Sequence, residues 1–211
     1  MISSQGNTNN WDISDIQMFW GEIAPCDHLV QIYDNEYTFL NTLEGFAGDG
    51  FIRGESVIII ATPDHIEALN QRLISHGFDI QTLIANDLYV TLDATEAASK
   101  IMVNNWPDED LFTHFVTSVM TRAAKKTHKV RVFGEIVSVL WSQGHTGATV
   151  QLENLWHRLL NKDPFCLFCA YPKSGFTQDA ASSIDTICKT HSKVIDGSAR
   201  PSTELYYMNV I

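Results

Sequence analysis

The sequence of 211 residues has few basic side chains, few cysteines and no long apolar run. Its 14 Lys and Arg are outnumbered by 25 Asp and Glu, which gives a net charge of −11. This balance disfavours nucleic acid and anionic membranes as partners, because both are bound mainly through basic side chains. A bilayer-spanning helix needs about 20 apolar residues, so no transmembrane segment is predicted. The first ten residues lack the basic and apolar regions of a secretory signal, and we expect a cytoplasmic protein.

A phosphate-binding loop is also missing from residues 55–73, the segment on which the fold prediction depends. Residues 57–61 form a continuous, largely β-branched run, typical of a strand that is buried on both faces. Thr62 and Pro63 are typical of a helix start. A Walker A loop at this turn would need several glycines and a lysine, and residues 61–66 contain neither. We therefore predict that the chain is not a nucleotide-hydrolysing enzyme and has no catalytic residues.

The rest of the chain alternates between strand and helix patterns. Further strands are predicted at residues 29–33, 88–92, 165–171 and within 130–139, and further helices at residues 35–46, 109–126, 148–160 and 180–194. Because such alternation gives right-handed crossovers, the pattern predicts a doubly wound, mostly parallel α/β sheet with helices on both faces. Residues 1–20 are interpreted as a tail with a short amphipathic helix, 21–200 as one α/β domain, and 201–211 as a tail that could add an edge strand.

Three candidate ligand-binding residues lie at the predicted carboxyl ends of strands, where open α/β sheets bind ligands. Glu135 follows the fourth strand, and Cys169 and Tyr171 lie near the end of the fifth. Glu135 is an equally good candidate for a helix cap or a paired structural acid. For Tyr171 the alternative is a packed ring with its hydroxyl in water.

Two histidines complete the set of candidate ligand-binding residues. His145 lies in the glycine-containing loop 142–147, which we predict either as a mobile lid or, more simply, as an ordinary connector. His28 precedes the first strand, at the opposite end of a parallel sheet from Glu135. Simple physical chemistry favours a histidine that caps this strand through hydrogen bonds.

The cysteines give only weak evidence for a metal-binding site. Cys166 and Cys169 form a CxxC pair, which is typical of zinc or redox sites. Side chains three positions apart on a strand point to opposite faces, however, so the two thiols should not share a metal. Cys188 and His191 could join one strand cysteine in a zinc site. Buried, reduced thiols are the favoured interpretation, and neither a metal nor a cofactor is predicted.

Several segments together resemble the MEDS family of methanogen, methylotroph and DcmR sensory domains. They are HLVQIYDNEYTFLNTLEGFAGDGFIRGESVIIIAT, VRVFGEIVSVLW, QLENLWHRLL and FCLFCAYP, which occur in the expected order over residues 27–195. The resemblance implies a fold related to the KaiC and RecA ATPases with a degenerate phosphate loop, and a recurring histidine at the position of His28. It also implies a bacterial or archaeal signalling role.

The resemblance and the candidate residues together predict a non-catalytic sensory domain. It would bind a small molecule, which the resemblance implies is hydrocarbon-like. It would pass a conformational change to a histidine kinase or response regulator in trans, since no output domain is recognised in the sequence. The sequence is compatible with both a monomer and a homodimer. The alternative is a ligand-free interaction adaptor that acts through an aromatic stripe containing Trp11, Phe19 and Trp20, although packing of this stripe onto the domain is the simpler interpretation.

Overall fold

The computed structural model describes residues 23–24, 26–125, 127, 129–176, 180–197 and 205–207. The strands are β1 (His28–Tyr33), β2 (Ser56–Ala61), β3 (Tyr89–Asp93), β4 (Met102–Val103), β5 (Trp106–Pro107), β6 (Val130–Gly134), β7 (Cys166–Pro172), β8 (Lys193–Gly197) and β9 (Leu205–Tyr207). Seven of them form one sheet in the order β3-β2-β6-β7-β1-β8-β9, and β4 pairs with β5 in a separate ribbon. All pairings in the main sheet are parallel except β8 with β9. The predicted mostly parallel α/β fold is therefore confirmed.

Helices lie on both faces of this sheet. They are α1 (Glu36–Ile52), α2 (Pro63–Ser75), α3 (Ile80–Ala85), α4 (Ala94–Ile101), α5 (Glu109–Ala123), α6 (Ile136–Ser142), α7 (Thr146–Lys162) and α8 (Ala180–Lys189), with a 3₁₀ turn at Lys173–Gly175. Buried residues of α1, α2 and α3 form one core with the first face of the sheet. Buried residues of α4, α5, α6, α7 and α8 form a second core with the other face.

The central strands supply alternate residues to the two cores. Val57 and Ile59 of β2 belong to the first core, while Ile58 and Ile60 belong to the second. Every residue of β2 is buried. The continuous apolar run in the sequence follows from this arrangement, because a strand that is covered on both faces has no solvent side to keep polar.

Local signals in the sequence set several helix boundaries. The side chain of Asp108 accepts a hydrogen bond from the backbone N–H of Leu111 at the start of α5. After α2, Gly77 adopts φ +87° and the N–H of Phe78 reaches the carbonyl of Leu73. These features form a Schellman motif, in which glycine tolerates the left-handed conformation that satisfies the last carbonyls.

One helix is not predicted, and one predicted helix is wrong in its extent. The fourth strand lies within residues 130–139 as predicted and ends at Gly134, and the apolar residues after it form α6, with Ile136, Val137 and Leu140 buried in the second core. The β-branched composition is a weak local preference that tertiary packing overrides here. The predicted helix 180–194 stops at Lys189, and the remaining residues begin β8, which completes a parallel pair with β1.

Only some of the predictions for the two terminal segments fall within the described residues. β9 provides the edge strand expected within the tail 201–211. The aromatic stripe with Trp11 and Trp20 lies outside the described residues. Within the described residues, none of the helices combines the length and the apolar character needed to cross a bilayer.

Candidate functional site

Glu135 lies at the carboxyl edge of the sheet, directly after β6, and each oxygen of its carboxylate has one partner. One oxygen accepts a hydrogen bond from the backbone N–H of Thr62 at 2.8 Å, and the other lies 2.7 Å from His65 Nδ1. The side chain is only 7% exposed. Because β2 and β6 are parallel neighbours, the end of β6 and the start of α2 meet at this point, and Glu135 joins them.

His65 extends this contact to a third element. Its Nε2 lies 3.2 Å from the carboxylate of Glu36 in the first turn of α1, and its ring packs edge-on against Phe39. Burial lowers the pKa of His65, but the hydrogen bond and charge of Glu135, with a smaller effect of Glu36, raise it overall. Glu36, His65 and Glu135 are called the edge site below.

Two aromatic rings flank the edge site on the first face of the sheet. Tyr33 stacks on Phe39 with ring centroids 4.8 Å apart. Burial, followed by the charges of Glu135 and Glu36, raises the pKa of the Tyr33 hydroxyl well above its usual value. The hydroxyl therefore stays protonated beside the acids and can act as a donor.

A second polar group lies inside the second core, where β1, β7, α7 and the end of α8 meet. It consists of His28, Glu153, Cys169 and His191, all buried, and is called the buried cluster below. Glu153 Oε2 lies 3.4 Å from His28 Nε2 and 3.5 Å from His191 Nε2. Cys169 Sγ lies 3.6 Å from His28 Nε2 and 3.9 Å from Glu153 Oε2.

The surroundings fix the charge of this cluster. Burial alone would raise the pKa of Glu153, but His191, His28 and a hydrogen bond from the Tyr171 hydroxyl lower it overall to about 2. Burial and then the charge of His28 lower the pKa of His191 to about 4, against the opposing effect of Glu153. These shifts favour the ionised form of Glu153 and the neutral form of His191.

The hydrogen bonds also fix the tautomer of His191. Its Nδ1 lies 2.7 Å from the carbonyl of Ile187, so Nδ1 carries the proton. Nε2 is then an unprotonated acceptor, and it faces the carboxylate of Glu153. Among the described residues, neither His191 Nε2 nor His28 Nδ1 has a hydrogen-bond partner. His191 Nε2 and the carboxylate oxygen of Glu153 are then both acceptors, so they repel each other inside the core.

The structure separates the residues that the sequence suggests as one site. Glu135 lies at the edge site, whereas Tyr171 lies in the second core and donates its hydroxyl hydrogen to Glu153. Tyr171 therefore does not point into a crevice shared with Glu135. Cys169 joins Tyr171 and His28 instead, since the parallel register sets His28 beside Leu167, two residues before Cys169.

His145 makes no described bond to either group, and the loop predicted at residues 142–147 is shorter than expected. Ser142 ends α6 and Thr146 begins α7, which leaves residues 143–145 as the connection. Gly144 at φ +79° and the hydrogen bond from His145 N–H to Leu140 form a second Schellman motif. The backbone of His145 is therefore tied to the end of α6.

Three residues of these groups were not singled out from the sequence. Glu153 stands on the otherwise apolar face of α7, between Thr149 and Trp156, and a carboxylate in such a stripe is a detectable signal. His65 and Glu36 lie in the first turns of α2 and α1, where they read as ordinary helix-start residues. Only the sheet order brings them to Glu135.

The two groups differ in what they can do chemically. The edge site offers carboxylates, an imidazole and a phenol beside partly exposed surface, which suits the reversible binding of a small polar or cationic group. The buried cluster is closed to solvent. Burial, with the charge of Glu153, raises the pKa of the Cys169 thiol well above its usual value, so this thiol is not a nucleophile by itself.

The fold is thus a seven-stranded α/β sheet domain with polar groups at its carboxyl edge and in its second core. The chain belongs to the MEDS family, the MEthanogen/methylotroph, DcmR Sensory domain, which matches residues 27–192. A solved protein from Pyrococcus horikoshii OT3, described only as the subject of a structural study, is similar with a TM-score of 0.58 at 10% identity, over 91% of this chain and 90% of that chain. At this identity the likeness shows the fold alone. No curated protein matches the sequence.

Proposed function

We propose that this chain is a non-catalytic sensory domain that binds a small molecule at the edge site and passes a conformational change to a signalling partner in trans. Membership of a sensory-domain family supports the general role. The observation that carries the choice of site is the buried carboxylate of Glu135, which ties the end of β6 to the start of α2 at the carboxyl edge of the sheet.

The chemistry of the edge site favours a particular kind of ligand. Two carboxylates lie on either side of the His65 imidazole, and the Tyr33 and Phe39 rings supply an apolar wall next to it. A small molecule with one cationic or hydrogen-bond-donating group on a short apolar body would satisfy the acids and cover the rings. Such a ligand would take the place of His65 between Glu135 and Glu36.

Displacement of His65 gives a route for the signal. Its ring links the first turn of α2 to Glu36 at the start of α1 and to Glu135 before α6. A ligand that binds only when this link is open shifts the population towards the open state in proportion to its difference in affinity for the two states. The relative position of α1 and α2 is then the output that a histidine kinase or response regulator would read.

Nucleotide chemistry is not part of this proposal. The turn after β1 contains Asp34 and Asn35, and the turn after β2 contains Thr62 and Pro63, so neither offers the glycines and lysine of a phosphate loop. Acidic residues begin both following helices, at Glu36 and Asp64, where they would repel phosphate. Descent from a KaiC-type or RecA-type ATPase stays a prediction.

A thermal-shift screen tests the proposal. The panel consists of short alkylamines, alcohols and chlorinated alkanes. A ligand at 100 times its Kd stabilises the native state by about 2.7 kcal/mol, and for a domain of this size each kcal/mol raises Tm by about 2–4 °C. We expect at least one compound with a donor group to raise Tm by several degrees.

Two variants locate the site of any compound that raises Tm. Glu135→Gln keeps the size of the side chain and removes its charge, and it should abolish the shift. Tyr171→Phe alters the second core and should leave the shift unchanged. A shift that survives Glu135→Gln but is lost in Tyr171→Phe would move the site to the other face of the sheet.

A further inference from the structure

We propose that His28, Glu153, Cys169 and His191 form a buried tetrahedral site for a divalent transition metal, with zinc as the best match. The four side chains come from β1, α7, β7 and the segment after α8, so distant parts of the chain converge on one point. This inference goes beyond the sensory role and stands apart from the edge site, which lies on the other face of the sheet.

The spacing of the donor atoms agrees with tetrahedral coordination. Bonds of about 2.0–2.3 Å from zinc to nitrogen, oxygen and sulfur place neighbouring ligand atoms about 3.3–3.8 Å apart. The nitrogen–oxygen separations around Glu153 are 3.4 and 3.5 Å, and those from Cys169 Sγ are 3.6 and 3.9 Å. All four donor atoms lie within 4.8 Å of one another. A cation at the centre requires the rings of His28 and His191, whose centroids lie 3.9 Å apart, to move apart.

The orientation of His191 supports a cation rather than a hydrogen bond. Because Nδ1 donates to the carbonyl of Ile187, Nε2 is the nitrogen that faces the carboxylate of Glu153, at a distance of 3.5 Å that is too long for a good hydrogen bond. In the described part of the chain this nitrogen has no hydrogen-bond partner although the residue is 1% exposed. A metal ion between the two acceptors removes the repulsion and satisfies both.

Two of the proposed ligands, His191 and Glu153, are oriented by further hydrogen bonds of the kind that metal ligands usually make. A ligating histidine commonly donates its other N–H to a backbone carbonyl, as His191 does to Ile187. A ligating carboxylate is commonly hydrogen-bonded as well, and the Tyr171 hydroxyl donates to Oε1 of Glu153, which leaves Oε2 for the cation.

Charge balance favours the same assignment. A divalent cation bound by one carboxylate, one thiolate and two neutral imidazoles gives a neutral assembly, which suits a site where all four residues are buried. The thiol proton of Cys169 leaves to solvent when the metal binds. Four protein ligands leave no open position, so the metal is structural and fastens the end of α8 and the start of β8 against the sheet.

Cys166 provides a matched control on the same strand. It is buried like Cys169, but it belongs to the first core on the other side of the sheet. Serine at either position removes one buried thiol and adds a hydroxyl of similar size. A metal at the buried cluster depends on Cys169 and not on Cys166.

The test measures metal content by inductively coupled plasma mass spectrometry on full-length, tag-free protein from zinc-supplemented cells after dialysis. The expected result is about one zinc per chain. The protein is then stripped with a chelator and titrated with Co²⁺, which should give visible tetrahedral bands and a thiolate-to-cobalt charge-transfer band. Cys169→Ser should lose the charge-transfer band and His191→Ala should weaken cobalt binding at least about tenfold, while Cys166→Ser keeps both.

The wild-type measurements remain decisive if a variant does not fold. Less than about a tenth of one equivalent of any transition metal, with no tetrahedral spectrum on cobalt addition, would overturn the assignment. So would a charge-transfer band that disappears in Cys166→Ser and persists in Cys169→Ser. Loss of the metal site should not change the ligand-induced increases in Tm that depend on Glu135. Each proposal can therefore be contradicted without the other.

Discussion

Cys166 and Cys169 lie three positions apart on β7 and point into different cores of the same sheet. Cys166 packs with the residues of α1 and α2, whereas Cys169 packs with those of α7 and contacts His28 and Glu153. The alternation of side chains along a strand enforces this separation. The CxxC spacing therefore does not define a shared metal or redox site, and only Cys169 has polar partners of the metal-binding kind.

Thiol labelling should distinguish the cysteines sharply. Burial raises the pKa of Cys166 to about 12 and that of Cys169 well above its usual range, whereas Cys26 is exposed. Iodoacetamide at pH 8 should therefore modify Cys26 in the native protein and leave both strand cysteines intact, as measured by peptide mass spectrometry. Denatured protein, in which every thiol is accessible, is the positive control. Rapid native labelling of Cys166 would show that the first core is not closed.

The edge site predicts a pH dependence of stability. The folded-state pKa of His65 is raised above its unfolded value of about 6.5. A raised pKa means that the stabilisation is complete below about pH 6.5 and is lost as pH rises through the folded-state pKa. Unfolding in urea at several pH values should show this decline in wild type and its absence in His65→Gln. His76→Gln, at a histidine that is 63% exposed, is the control and should keep the decline.

A buried ion-pair network should be much more important for stability than a surface pair. The guanidinium of Arg131 contacts Asp49 at 2.6 Å and also Glu55, and its side chain is 4% exposed. Arg131→Met removes one of the two guanidinium partners of buried Asp49, which keeps Arg53, and also the partner of Glu55, and should cost about 3 kcal/mol. Arg158→Met breaks an exposed pair with Glu109 and should cost less than about 1 kcal/mol. Equal losses in denaturant titrations would contradict this ranking.

Two tyrosines allow a comparison of charged and neutral acceptors. Tyr171 donates to the carboxylate of Glu153, and Tyr89 donates to the amide oxygen of Asn70 at 2.9 Å. Hydrogen bonds to charged groups contribute about 1.5–3 kcal/mol and neutral ones about 0.5–1.5 kcal/mol. Tyr171→Phe should therefore destabilise the protein more than Tyr89→Phe in thermal and urea unfolding. The reverse order would show that Glu153 does not depend on Tyr171.

The sequence predicts the fold well because the sheet is buried on both faces. Continuous apolar runs such as that of β2 have few alternatives, and the capping at Asp108 and the glycine at Gly77 are local signals that tertiary packing does not override. The predictions miss the helix at 136–142 and extend the helix of residues 180–194 past Lys189 into β8, both in short apolar segments that can be helix or strand. Packing against the second core and pairing with β1 decide these two cases.

The sites are predicted less well, because they depend on which strands become neighbours. His28, Cys169 and Tyr171 come from the predicted set and meet in the second core, but Glu135 does not join them. No spacing along the chain indicates that His65 lies against Glu135, 70 positions away. The sheet order and the register supply this information.

The most direct test of ligand binding at the edge site follows the backbone amide of Thr62 by ¹H–¹⁵N NMR during titration with a compound that raises Tm. This N–H donates to the Glu135 carboxylate at 2.8 Å, so a ligand at the edge site must change its resonance. We expect a saturable shift of the Thr62 and His65 signals in wild type and none in Glu135→Gln. Saturating binding that leaves Thr62 unchanged, or a panel without any compound that stabilises the protein, would contradict this proposal.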